Sequence, residues 1–127
     1  MAARTLIVAL LACASLAACS QNRGGALPAG SLDLITRDQI VDNHFINAYE
    51  AVQAMRSNWL QARGTDSFRT PSEVLVYQDN VRLGGIDELR AIQTTSIAWI
   101  RHYDGVEATN RWGVGHAAGV ILVSSFR

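Results

Sequence analysis

Apolar residues along this chain switch between a spacing of two and a spacing of three to four, and the switches mark out a mixed order of strands and helices. Residues 31–35 (Ser-Leu-Asp-Leu-Ile) alternate as a strand does. Thr36 follows with Gln39 three positions on, a capping box, and Ile35 and Ile40 occupy the two staple positions around it, which predicts a short helix from that point. Asn47 and Glu50 repeat the signature, and behind them Ala48, Ala51, Val52 and Met55 form one apolar helical face running to Arg56. Trp59-Leu60-Gln61-Ala62 reads as a short strand, and residues 63–72 as a polar loop with Gly64 and Pro71. Val74-Leu75-Val76-Tyr77 is a compact β-branched run closed by the turn pair Asp79-Asn80. Gly84-Gly85 breaks the chain before a short helix carrying Ile86, Leu89 and Ile92. Residues 97–103 (IAWIRHY) are apolar on both faces, as a central strand would be, and Asp104-Gly105 turns them. A single helical turn at 106–111, a glycine-rich loop at 113–119 and a last strand at 120–124 complete the pattern. The expected fold is α/β: one small domain with a mixed sheet of about four short strands and two to three short helices.

The first residues follow a different rule. Arg4 supplies one positive charge, residues 5–12 are almost wholly apolar, and small residues lead into Cys19, the anatomy of an export signal. The apolar run is well short of the roughly 18 residues of a membrane-spanning helix. Leu16-Ala17-Ala18-Cys19 resembles the lipobox of bacterial lipoproteins. That resemblance implies that residues 1–18 are removed, that Cys19 carries a diacylglyceryl group and an acylated amino terminus, and that Ser20 directs the protein to the outer membrane, facing the periplasm. Residues 19–31, rich in Gly, Ser, Ala and Pro after the cysteine, read as a flexible tether, leaving 32–127 as the domain.

Removing residues 1–18 leaves 109, enough to bury roughly two thirds of the unfolded surface without staples. Cys13 leaves with the signal, so Cys19 is the only cysteine of the mature chain, and neither an internal disulfide nor a thiolate metal site is expected. Ten arginines then face eleven acids, which provides no basic stripe for nucleic acid. No lysine is present for Schiff-base chemistry.

From Glu73 onward the order of motifs resembles the plug domain of TonB-dependent outer-membrane receptors. Val74-Leu75-Val76-Tyr77 and Asp79-Asn80-Val81 match that family's strand ending in Asp-Gly-Val, and Ile97 and Ile100 match its Ile-x-x-Ile strand. Asp104-Gly105-Val106 takes the place of its turn, Ala108 with Trp112-Gly113 its Ala-x-x-x-Tyr-Gly, and Gly115 with Ala118-Gly119 leads into the final apolar strand. Residues 34–40 look like the plug's opening strand and helix, so the likeness covers about 90 residues. The departures are Val106 for proline, Asn80 for glycine, Arg101 for an acid and Trp112 for tyrosine. No barrel follows within the chain, and no energy-coupling box is evident after Cys19. The resemblance therefore implies a stand-alone domain that docks against other envelope proteins, such as an outer-membrane barrel receptor, rather than a transporter.

Catalytic patterns are weak. His102 with Asp104, Asp42 with His44, and His116 have the residue types for a metal or acid–base site but match no ligand spacing, so satisfied or solvent-facing histidines are expected. The glycines of 113–119 precede a strand, not a helix, which excludes a dinucleotide loop. No nucleophile elbow is present. Trp99 is expected in the core, whereas Trp59 and Trp112 suit either core or ligand platform. Arg63, Phe68 and Arg69, in one polar loop, suit an anionic ligand or a protein partner. The expectation is a binding protein without catalytic activity, cofactor or metal. Its binding residues would be Arg63, Phe68, Arg69, Trp59 and Trp112, its partner a protein or, alternatively, a small ligand such as an iron chelate or glycan.

Overall fold

The structure, a computed structural model, describes residues 32–69 and 71–126. The export signal, Cys19, the tether to Ser31 and the terminal Arg127 lie outside the described residues. Five strands form one mixed sheet: β1 (Leu34–Thr36), β2 (Leu75–Gln78), β3 (Val81–Gly84), β4 (Ile97–Tyr103) and β5 (Val120–Ser125), in the order β1-β4-β5-β2-β3. Only the β2–β5 pair is parallel. Three α-helices accompany them: α1 (Arg37–Asp42), α2 (Ala48–Arg56) and α3 (Gly105–Trp112). The α/β class with a mixed sheet is as the sequence predicts. No helix among the described residues is long and apolar enough to cross a membrane.

Both capping signatures work as expected. Gln39 Oε1 accepts from the Thr36 amide at 3.0 Å, and Ile35 and Ile40 are buried in the same core on either side of that cap. Asn47 accepts from the Glu50 amide at 2.9 Å, while Glu50 reaches back to the Ile46 amide at 3.0 Å. Ala48, Ala51 and Val52 then turn into the core.

The central strands β4 and β5 divide two apolar clusters. On one side Ile97, Ile100, Ile121, Val123 and Val76 meet α1, α2 and the short 3₁₀ helix Ile86–Arg90 through Ile40, Val52 and Leu89. On the other, Leu75, Tyr77, Tyr103, Val120 and Leu122 meet α3 through Ala108. A register shift between Ile97 and Trp99 in β4 breaks the alternation of faces. It lets Ile97 and Ile100, three residues apart, both enter the first cluster, and it sets Trp99, Arg101 and Tyr103 on the opposite face.

Two local expectations need correction. Trp59 and Leu60 are not in a strand: Ser57–Leu60 is a 3₁₀ helix that continues α2 after a break at Arg56 (φ −146°, ψ 54°). The apolar pair there faces the core from a helix end, and two adjacent apolar residues do not distinguish that from a strand. The second is β3, which the sequence reading leaves as a turn and break. Asp79 and Asn80 both have positive φ (47° and 72°), the backbone of a two-residue hairpin turn, and this folds Val81–Gly84 back along β2. The strand buries none of its side chains, so the burial pattern that identifies strands is missing from it.

Candidate functional site

Three strand ends and a helix start meet at one end of the sheet. His102, near the end of β4, is half-buried and stacks on Trp59, with ring centres 5.4 Å apart and planes 15° apart. Trp59 itself is only 2 % exposed, so it forms a wall and not an open platform. Around this pair a cleft of about 240 Å³ is lined by Asp33, Asn58, Gln61, Arg63, Asp104 and Glu107. Asp104 caps α3, its Oδ1 accepting from the amides of Val106 and Glu107 at 2.8 Å each. Gly105 follows because no side chain fits: an added Cβ would stand 2.1 Å from the Ala117 carbonyl oxygen. The same oxygen would lie 2.5 Å from a Cβ on Gly64, whose φ is +117°. The Ala117 amide donates to Asp66 at 3.1 Å, so Ala117 is the post to which the loop holding Arg63 is fastened.

Burial lowers the pKa of His102 below its ordinary value, and Arg63 adds to this, while Asp33, Asp104 and Glu107 oppose it. The folded ring resists a proton that the unfolded chain accepts, so below about pH 6.5 the native protein binds fewer protons than the unfolded chain does. Stability therefore declines with acidification through that window. A His102→Gln variant is expected to show a flatter dependence of melting temperature on pH between 7.5 and 5.5 than the natural chain. Parallel slopes in a thermal melt series would count against this account.

The opposite face of the sheet carries a second feature, an array of rings and guanidinium groups. Tyr103 lies between Arg101 and Arg111, whose guanidinium carbons stand 4.8 and 5.2 Å from its ring centre. Trp112 meets Tyr103 edge-on at 5.1 Å and Tyr77 at 5.0 Å, and Arg111 also covers Trp112 at 4.9 Å. His116 is buried beneath, with Nδ1 2.9 Å from the Gly113 carbonyl and Nε2 2.8 Å from the Tyr77 hydroxyl. A carbonyl can only accept, so in the neutral ring Nδ1 carries the hydrogen and Nε2 accepts from Tyr77. Beside this array a groove of about 470 Å³ runs over Trp99, Leu122 and Ser124, bounded by Asp79, Asn80, Arg111 and Phe126. The one ion pair among the described residues is Arg90–Asp87, so Arg101 and Arg111 have no carboxylate partner there. Arg101 Nε is buried without a hydrogen-bond partner.

The residues singled out from sequence thus separate. Trp59 and Arg63 line the cleft, together with His102 and Asp104, which the sequence pairs only by proximity. Trp112 belongs to the opposite face, half-buried in its aromatic array. Phe68 and Arg69 lie in the exposed loop and line neither cavity, and Phe68 is fully exposed. Trp99, expected in the core, is half-buried and lines the groove. Asp42 and His44 end α1 on the surface, where His44 Nδ1 bonds its own turn at the Val41 carbonyl. The residues 113–119 connect α3 to β5, the loop-before-strand arrangement read from sequence. Sequence reasoning misses Arg101 and Arg111 as a pair, although each stands just before an aromatic, Arg101 two residues ahead of Tyr103 and Arg111 next to Trp112. Among the described residues no group of three or more His, Cys, Asp or Glu could hold a metal ion.

No protein-family model matches this chain, and no curated protein matches it as a relative.

Proposed function

We propose that this protein is a lipid-anchored lipoprotein on the periplasmic side of the outer membrane, whose stand-alone plug-like domain works as a protein-interaction module and not as an enzyme. The observation that carries the reading is the arginine–aromatic face with its neighbouring groove. Arg101 and Arg111 lie against the Tyr103 ring, and Arg111 borders the groove together with Trp99, Leu122 and Asp79. Arginine and aromatic side chains gathered on one partly open face are the composition of a protein-binding centre. The charge fits an acidic segment of a second envelope protein, such as an outer-membrane barrel receptor, with its carboxylates on Arg101 and Arg111 and its apolar side chains over Leu122.

A photo-crosslinking amino acid at Asn80, on the rim of the groove, should give one discrete adduct with an outer-membrane protein in intact cells. The adduct should disappear with Arg111→Glu and be absent from Gln53, exposed on α2. Equal capture from Asn80 and Gln53, or an adduct indifferent to Arg111→Glu, would sink the proposal.

A second reading, small-ligand binding, has the His102 cleft in its favour, since that hollow is separate from the arginine face and lined chiefly by polar side chains.

A further inference from the structure

β3 ends the sheet, and its outer side pairs with no other strand among the described residues. Such an edge can add a further strand through its free backbone groups unless charges or a covering segment prevent it. β3 carries one charge, on Arg82, and none of its side chains is buried. Its two large apolar residues, Val81 and Leu83, are 63 % and 39 % exposed. Leu83 has no opposite number in β2, because the register steps from Tyr77 against Arg82 to Val76 against Gly84. It is the extra residue of a bulge.

The charges along this edge are of opposite sign and displaced from one another. Arg82 is the base within the strand, and two acids stand at its end. A Cβ on Gly84 would lie 3.2 Å from Glu88 Cγ, and one on Gly85 3.0 Å from a Glu73 carboxylate oxygen, so both acids lie against the glycine pair. Unlike charges displaced along one strand are matched by an identical strand running the other way. Antiparallel pairing centred on Leu83 sets Leu83 against its own copy and Arg82 opposite Gly84 of the second chain. Glycine in a strand leaves room for another backbone to approach closely, and here it leaves Arg82 within reach of the second chain's Glu73 and Glu88. Centred on Arg82, the same pairing would set guanidinium against guanidinium, which cross-strand repulsion disfavours. The charges therefore select both the partner and the register.

We propose that two copies of this chain join β3 to β3, antiparallel about Leu83, with Arg82 of each meeting Glu73 and Glu88 of the other. The interface is isologous, and its two-fold axis runs perpendicular to the sheet. The two five-stranded sheets then continue as one, and both arginine–aromatic faces lie on the same side. A partner protein with two acidic segments would be held at two points, at higher avidity than one face provides. The dimer goes beyond the protein-interaction reading and does not depend on it.

Four residues a side make a small and reversible interface, so the test traps it covalently. Directly opposite residues of an antiparallel pair stand about 4.5–5.5 Å apart between Cα atoms, within the reach of a disulfide. Leu83→Cys is placed in the full chain in intact cells under mild oxidation, beside the natural chain and Gln53→Cys, which is exposed on α2. The expected result is a disulfide-linked species of twice the mass from Leu83→Cys alone, since a residue on the axis meets its own copy. Adding Arg82→Glu should cut its yield roughly tenfold, and adding Glu73→Arg to that double variant should restore it, in chains whose thermal melts are unchanged. A yield from Leu83→Cys no higher than from Gln53→Cys would overturn the dimer. A yield indifferent to Arg82→Glu, or not recovered by Glu73→Arg, would overturn the charge pairing and the register it sets. A Leu83→Cys adduct of another mass would assign the edge to a different protein and remove the second copy. None of these results bears on the groove, which the adduct at Asn80 tests separately.

Discussion

Gly105→Ala is expected to lower the melting temperature of the domain by on the order of 10–20 °C. The added methyl carbon would stand 2.1 Å from the Ala117 oxygen and 2.8 Å from its carbon, both backbone atoms, so no side-chain rotation can relieve it. Either the start of α3 or the loop before β5 has to move, at a cost near the top of the about 1–3 kcal/mol typical of overpacking. The movement would also free Gly64 and Asp66 from Ala117, and with them the loop that carries Arg63 into the cleft. Gly113→Ala is the contrast: Gly113 follows α3 with φ 91° and ψ −169°, a region nearly confined to glycine, but its Cβ would meet nothing within 4 Å, so its loss of about 1–3 kcal/mol would be conformational alone. Gly105 has no positive φ, so its loss would come from the close approach to Ala117. Circular-dichroism melts of both variants check the pair, and a Gly105→Ala melt within about 3 °C of the natural one would show that the contact with Ala117 does not govern position 105.

Cys19→Ala carries the largest expected effect on function. Under the lipoprotein proposal the cysteine bears two or more acyl chains, and each buried methylene contributes about 0.8 kcal/mol, so attachment is durable with the lipid and absent without it. The variant should move from the membrane fraction to the soluble periplasmic fraction and stop incorporating labelled palmitate. Its domain should melt at the same temperature as the natural one, since the core residues described here all lie between Ile35 and Val123, at least sixteen positions beyond the cysteine. Retention of the variant in the membrane fraction would show that something other than a lipid on Cys19 holds the protein there.

Local chemistry made much of this fold legible. Thr36 with Gln39 and Asn47 with Glu50 marked helix starts because capping depends on residues three apart, and β4 and β5 were readable because both of their faces are covered. What stayed hidden depends on distance along the chain. Val81–Gly84 becomes a strand only because the Asp79-Asn80 turn returns it to β2, and its own side chains stay mostly exposed. Trp59 joins His102 only because α2 ends against the end of β4. The cleft is assembled from Asp33, Arg63 and Glu107, whose meeting is decided by β1 pairing with β4 and by a glycine at 105 small enough to admit Ala117. No pattern within a window of a dozen residues contains that information.

Asp33, one of the carboxylates of the cleft, is the second described residue, immediately before β1. The hollow therefore lies at the root of the domain, where the chain from Cys19 arrives. Residues 20–31 can span at most about 40–45 Å, whatever path they take. A domain anchored through Cys19 would thus keep this hollow within that radius of the bilayer surface however the rest of it turned. The groove beside Arg111 is held by the same tether, because Trp99 in its floor pairs with Thr36, three residues beyond Asp33. Whatever either opening met would come from a shell of solvent next to the lipid headgroups.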